Sequence, residues 1–251
     1  MTTASDQLSS LIRQRRSIRD FLPTPIPNEV LLQVLEDANW SPSWSNTQPY
    51  RIAIASGPMR DKLASELTAK FDAGMKAIAG GVFGKLRAFI TRDGMPDGDV
   101  KVDFDYPESL LARRRATGFG LYKLLGIERE DRAARNAQMR RNFEFFGAPT
   151  VIFVFVHEGL REYSVLDAGI FLQTFMLSAE AHGLATCAQG ALATWASPIR
   201  AAFDVPDEYN LICGISVGYA SEHKVNSFNP GRADVAEMVI PSRRQTSDTK
   251  A

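Results

Sequence analysis

Apolar residues recur along the chain with two spacings, one typical of helices and one typical of buried strands. Helical spacing predicts two N-terminal helices, and Pro42 ends the second of them. Further along the chain it predicts helices at 59–71, 108–125, 129–145, 165–181 and 198–203. Short apolar runs predict strands at 51–55, 151–156, 184–188 and 211–219. Neither an internal repeat nor a linker divides this series, so we expect one domain over residues 1–251.

The periodic pattern weakens between Asp72 and Asp105, where Gly80-Gly81 and residues 93–99 are loop-like. Long irregular insertions in compact domains often cover a binding site. We therefore expect a helical and loop insertion at about 72–145 that acts as a lid. The polar tail after Ser242 is expected to be disordered.

The predicted helix at 165–181 is apolar nearly all round, and Gly183 follows its end. A helix with this pattern must be buried on more than one side. A buried dimer interface and a central core position both explain the pattern, so the sequence leaves these two alternatives open.

Composition and charge narrow the function classes. Basic and acidic residues balance at 29 each, so no bulk charge favours nucleic acid or an anionic membrane. Cys187 and Cys213 stand in apolar surroundings typical of buried thiols, and the histidines do not cluster, so we expect no metal site. The N-terminus lacks an apolar signal region, and no apolar run approaches the roughly 18 residues of a membrane span. These features predict a cytoplasmic protein.

Two segments concentrate groups that bind ligands. The first is the arginine segment, residues 15–19, whose guanidinium groups and hydroxyl suit a phosphate because arginine pairs with phosphate oxygens in bidentate fashion. The second is the proline loop, residues 42–50, which places amides and hydroxyls between two prolines. Such a stiff loop is suited to holding a flat polar ring.

These two segments, followed in order by Gln189-Gly190 and by the terminal series Gly218-Tyr219, Asn226 and Arg232, resemble the FMN-dependent nitroreductase family. Residues 142–149 also resemble its nitrobenzoate reductase-like subgroup. The resemblance spans residues 8–240. It implies an α+β fold in which helices flank a mixed sheet, and an intertwined homodimer with two FMN sites at its interface.

The resemblance also implies roles for individual residues. The arginine segment and Arg232 are expected to meet the phosphate, ribityl chain and pyrimidine edge of FMN, and Gln189-Gly190 its central ring. The proline loop is expected to reach the flavin from the other subunit. The full set of expected FMN-binding residues is Arg15, Arg16, Ser17, Arg19, Pro42, Ser43, Ser45, Asn46, Gln48, Gln189, Gly190 and Arg232. Trp44, Phe83 and Tyr106 are expected to contact an aromatic substrate, and no side chain is assigned as obligatory for catalysis.

The function implied by this resemblance is reduction of nitroaromatic compounds to hydroxylamines or amines, with NAD(P)H as the donor in a ping-pong hydride transfer. Many relatives carry glutamate where Gln189 stands, so the charge beside the flavin ring differs here. Alternatives are flavin-dependent reduction of an enone, a quinone or a carbon–halogen bond, and a non-catalytic flavin carrier. Arg113 to Arg115 and Arg140-Arg141 are either a solvated helix face or a contact for the NADPH 2′-phosphate or a substrate carboxylate.

A rival of another class comes from Gly214-Ile215-Ser216-Val217-Gly218, which matches the nucleophile elbow of hydrolases in its letters. That motif requires a strand-to-helix turn at the serine, followed by acid and histidine partners. Only His223 follows among the histidines, and the pattern predicts no helix there, so the sequence favours a coincidental match within a strand.

Overall fold

Four antiparallel strands form the central sheet of the computed structural model, which describes residues 3–102 and 104–242. They are β1 (Tyr50–Ser56), β2 (Thr150–His157), β3 (Ala185–Gln189) and β4 (Tyr209–Gly218), in the order β1-β2-β4-β3. Helices surround the sheet, so the predicted α+β class is confirmed. Among the described residues, the parallel pairing expected of a mixed sheet is limited to an isolated bridge between Ser17 and Thr186.

The helices follow the predicted order. They are α1 (Ala4–Gln14), α2 (Asn28–Asn39), α3 (Gly57–Ala79), α4 (Gly81–Thr91), α5 (Glu108–Leu125), α6 (Arg132–Arg140), α7 (Glu162–Ala181) and α8 (Ser197–Ala202). Local signals set several ends: Thr3 and Asp6 form a capping box at α1, and Gly126 ends α5 in the left-handed conformation. The tail after Ser242, predicted to be disordered, lies outside the described residues.

Successive residues of β2 face opposite sides of the sheet, and both sides are buried. Phe153 and Phe155 pack with α3 on one side, whereas Ile152 and Val154 pack with α2 and α7 on the other. Burial on both faces explains why the sequence of β2 is a continuous apolar run instead of an alternating one.

The structure differs from the prediction between residues 72 and 91. Helix α3 continues to Ala79, and α4 packs back against it. Glycines allow this close packing: a Cβ atom at Gly80, one of the two glycines that indicated a loop, would lie 2.9 Å from Gly84 Cα, and one at Gly84 would lie 2.5 Å from the Ala77 carbonyl oxygen. The predicted helix at 129–145 is also shorter, because α6 ends at Arg140 and the chain then turns through Phe145 and Phe146 with positive φ.

Helix α7 has one covered face and one open face. Phe171 and Phe175 are buried toward the sheet, which agrees with a central core position. On the opposite side, Val165 and Leu166 are exposed and line an apolar groove beside α1. The core alternative therefore accounts for the buried face of this helix but not for Val165 and Leu166.

Bilayer crossing needs a long, uniformly apolar helix, and none of the helices within the described ranges meets that requirement.

Candidate functional site

The arginine segment follows α1 and runs beside β3. The Ile18 amide donates to the Thr186 carbonyl oxygen at 3.0 Å, and the Ile18 side chain is buried with Phe146 and Cys187. These contacts fix the backbone between the arginines. The sheet therefore positions the guanidinium groups, although they lie outside any named strand.

Asn226 joins this segment to the C-terminal part of the chain. Its Oδ1 accepts from the Arg19 amide at 2.8 Å, and its Nδ2 donates to the carbonyl oxygens of Asp20 and Ser221 at 2.7 and 3.0 Å. This buried side chain holds residues 228–232 next to the arginine segment. The terminal series of motifs included Asn226, but the sequence did not indicate that this side chain joins the arginine segment to the C-terminal part of the chain.

A cavity of about 1140 Å³, here called the arginine cavity, lies between these segments. It is lined by five of the predicted FMN-binding residues, namely Arg15, Arg16, Ser17, Arg19 and Arg232. Gln173, Glu180 and Phe228 also line it, and the sequence analysis missed them. Of these three, only Glu180 could have been noticed in the sequence, because it is an acidic residue near the end of a mostly apolar helix.

The electrostatics of the arginine cavity favour an anion. Five arginines line it against a single carboxylate, that of Glu180. Within residues 3–102 and 104–242, none of these arginines forms an ion pair, and the buried Arg15 Nε has no hydrogen-bond partner. Burial raises the pKa of the Glu180 carboxyl, against the opposing effect of Arg15 and Arg16. A multiply charged phosphate would supply the missing partners.

The proline loop lies beside the N-terminal part of α7, whereas Glu180 of the arginine cavity lies near the C-terminal end of that helix. Three of its non-glycine residues, Ser45, Asn46 and Gln48, adopt positive φ angles of 48°, 56° and 42°. The buried Asp167 carboxylate on α7 accepts from the Trp44 amide at 2.9 Å, which secures the strained turn. Non-glycine residues in this conformation cluster at functional sites, where the surroundings support their cost.

The two halves of the predicted site lie along different stretches of α7, with Gln173, which also lines the arginine cavity, between them. Asp167 holds the proline loop, and Glu180 lines the arginine cavity. At the rise of an α-helix, these two positions on α7 are about 20 Å apart. Ser43, Ser45 and Asn46 do not line the arginine cavity of their own chain.

Gln189 and Gly190 lie where β3 ends, close in sequence to the Thr186 that pairs with Ser17. The Gln189 side chain is buried, whereas Gly190 is exposed, and a Cβ atom there would meet no atom within 4 Å. Neither residue lines the arginine cavity itself. The open space beside Gly190 leaves room for a flat ring extending from that cavity.

The predicted substrate residues do not converge in one chain. Trp44 is exposed and stacks against Tyr163, with ring centroids 4.4 Å apart. Phe83, on α4, is 85% exposed, and Tyr106 lies beneath the Arg114 guanidinium, 4.7 Å from its carbon to the ring centroid. None of the three predicted residues lines the arginine cavity.

Ion pairs account for most of the other basic residues that the sequence singled out. Arg113 pairs with Glu237, Arg140 with Asp72 and Glu144, and Arg141 with Asp20. These pairs favour a structural role for the three arginines over contact with the NADPH 2′-phosphate.

The hydrolase alternative does not fit the geometry. Ser216 is fully buried in the middle of β4 and donates to the Gln189 side chain. A nucleophile elbow requires an exposed serine at a strand-to-helix turn. Burial also raises the pKa of Cys187 to about 11, so this thiol remains protonated near neutral pH.

Comparison with known proteins agrees with this geometry. A model of the nitroreductase family matches residues 12–219. A 4-nitrobenzoate reductase of Pseudomonas putida is 33% identical over 233 residues, 92% of this chain and 94% of that protein. The nitroreductase NfnB of Mycolicibacterium smegmatis is 35% identical over 239 residues, 93% of this chain and 92% of that protein.

Two solved structures extend the likeness to the fold. The crystal structure of the FMN-dependent nitroreductase NfnB from Mycobacterium smegmatis, in complex with NADPH, aligns with a TM-score of 0.76 at 34% identity, over 94% of this chain and 99% of that chain. An FMN and NADPH-dependent NfnB from sphigopyxis sp. strain HMH aligns with a TM-score of 0.78 at 28% identity, over the same shares. The chain belongs to the nitroreductase family.

Proposed function

We propose that this chain is an FMN-dependent nitroreductase that oxidises NADPH and reduces nitroaromatic compounds. The observation that carries the proposal is the arginine cavity, in which five guanidinium groups have no ion-pair partner among the described residues. Relatives named for nitrobenzoate reduction and for FMN and NADPH dependence support the choice of cofactor, donor and substrate class.

The residues of the arginine cavity fit FMN. Arg15, Arg16 and Arg232 hold its phosphate through charge-assisted hydrogen bonds, and Ser17 adds a hydroxyl. Arg19, whose guanidinium donates to the Ser17 carbonyl oxygen at 3.2 Å, lies toward the pyrimidine edge. Gln189 and Gly190 border the central ring, where glycine permits close approach. When bound, FMN supplies the hydride-transfer chemistry, and the chain binds and orients the reactants.

A second copy of the chain completes each site in this proposal. The proline loop, with Pro42, Ser43, Ser45, Asn46 and Gln48, does not line the arginine cavity of its own chain. Docking of two copies through the open apolar face of α7 brings the loop of one copy to the cavity of the other. The exposed Val165 and Leu166 supply apolar surface for that contact.

Aromatic side chains then cover the substrate. Trp44 belongs to the proline loop, while Phe83 and Tyr106 belong to the insertion at about 72–145. All three keep exposed ring surface in the single chain, and that surface is available to a nitroaromatic ring in the dimer. In this proposal, the insertion at about 72–145 is a lid within a single domain.

The proposal is tested by the visible spectrum of the purified protein under anaerobic conditions. A yellow protein that bleaches with NADPH and regains its colour with 4-nitrobenzoate supports flavin, donor and acceptor together. A protein that takes up no FMN contradicts the proposal. If NADPH bleaches the yellow protein but only a quinone or an enone reoxidises it, the electron acceptor is not a nitroaromatic compound.

Glu180 provides a more specific prediction. Its carboxylate lines the same cavity as the arginines, so it repels a dianionic phosphate. Replacing Glu180 with glutamine removes this repulsion and is expected to tighten FMN binding by about threefold to tenfold, for a loss of roughly 1 kcal/mol of repulsion. Flavin fluorescence titration of the apoprotein measures the change. Riboflavin, which lacks the phosphate, is the control, and its affinity should stay constant.

A further inference from the structure

The buried side chain of Gln189 is held from two sides. Ser216 Oγ donates to Gln189 Oε1 at 2.5 Å, and Gln189 Nε2 donates to the Asn142 carbonyl oxygen at 2.9 Å. Gln189 is only 4% exposed, and Ser216 is fully buried. Solvent therefore does not replace either hydrogen bond, and the Gln189 amide has one orientation.

This clamp selects an amide over a carboxylate. The Asn142 carbonyl oxygen is purely an acceptor, so it requires a donor, which Nε2 provides. A glutamate at position 189 would place a carboxylate oxygen against that carbonyl oxygen in a buried site, where unpaired negative charge is costly. The local structure thus accounts for a glutamine at position 189.

We infer that Ser216 is a positioning residue for the flavin: with Asn142 it fixes Gln189 as a neutral amide and thereby fixes the Gln189-Gly190 turn. This inference rests on the proposed function, which places that turn beside the FMN ring. Reduced flavin carries negative charge, so a fixed turn with a neutral side chain favours the reduced state over a turn that carries a carboxylate. Ser216, whose surroundings match a nucleophile elbow only in their letters, acts through Gln189.

The test compares two buried serines. Ser164 is also fully buried, and its hydroxyl donates to the His157 carbonyl oxygen at 2.6 Å, away from β3. Ser216→Ala and Ser164→Ala each remove one buried hydroxyl hydrogen bond, so both should lower the melting temperature. Only Ser216→Ala should move the FMN midpoint potential, to a more negative value. We expect about a tenfold shift of the two-electron equilibrium, or about 30 mV.

Restoring a hydroxyl with Ser216→Thr should return the potential toward that of the unmodified protein. Gln189→Glu tests the neutral amide directly and leaves Ser216 unchanged. This variant should also make the FMN midpoint potential more negative. If the unmodified protein, Ser216→Ala and Gln189→Glu have the same FMN midpoint potential, the inference is overturned. The proposed function still stands in that case, because all three proteins bind FMN. Failure of the unmodified protein to bind FMN would instead contradict the proposed function.

Discussion

Removing the guanidinium groups of Arg16 and Arg232 together is expected to weaken FMN binding at least a hundredfold. Both arginines line the arginine cavity and are exposed, so alanine at these positions leaves the core intact. A hydrogen bond to a charged group contributes about 1.5–3 kcal/mol, so losing two costs about 3 kcal/mol or more. Each 1.4 kcal/mol is about a factor of ten in the dissociation constant. Fluorescence titration of the apoprotein with FMN measures the loss.

Riboflavin distinguishes a phosphate contact from general damage. The double variant should bind riboflavin as the unmodified protein does, because only FMN carries the phosphate. A matched variant, Arg87→Ala with Arg115→Ala, removes two exposed arginines that do not line the cavity and should retain normal FMN affinity. Equal weakening of FMN and riboflavin would mean that Arg16 and Arg232 support the fold and not the phosphate.

The sequence predicted the arginine cavity well because its chemistry is concentrated in short segments. Arg15 to Arg19 are adjacent in the chain, and charge density of that kind is visible without a structure. What brings Arg232 to them is the hydrogen bonding of Asn226 across more than two hundred residues. No local pattern contains that contact, and only the order of motifs in a known family indicated it.

Glycine explains why the prediction failed near α4. Gly80, Gly81 and Gly84 are turn and loop signals by conformational preference. In the structure Gly84 is helical and is needed because the Ala77 carbonyl oxygen lies too close for any side chain. Sequence patterns indicate the intrinsic conformational preference of a residue. At position 84, glycine is required because α3 packs closely against α4.

The strained proline loop shows the same limit. Its two prolines indicated a stiff segment, yet the left-handed conformations of Ser45, Asn46 and Gln48 are maintained partly by Asp167 on α7. That carboxylate is more than a hundred residues away in sequence. The separation of the loop from the arginine cavity of its own chain also depends on where the two segments pack along α7, and no local pattern contains that long-range arrangement.

That separation makes the dimer testable by one substitution on the open face of α7. Leu166 is 57% exposed and lines the apolar groove, so Leu166→Glu places a charge in the proposed interface without disturbing the monomer core. We expect a monomeric protein by sedimentation equilibrium. Because each site needs the proline loop of a second copy, nitroreductase activity should fall by at least a hundredfold.

Leu32 on α2 offers a closely matched control. It is 56% exposed, so Leu32→Glu makes the same chemical change at the same exposure, but outside the groove. This variant should remain dimeric and active, which separates interface loss from the general cost of a surface charge. A monomeric Leu166→Glu protein that still binds FMN tightly and turns over would show that one chain contains a complete site. The proline loop would then act within its own chain or not at all. A fully active dimer would place the interface on a different face.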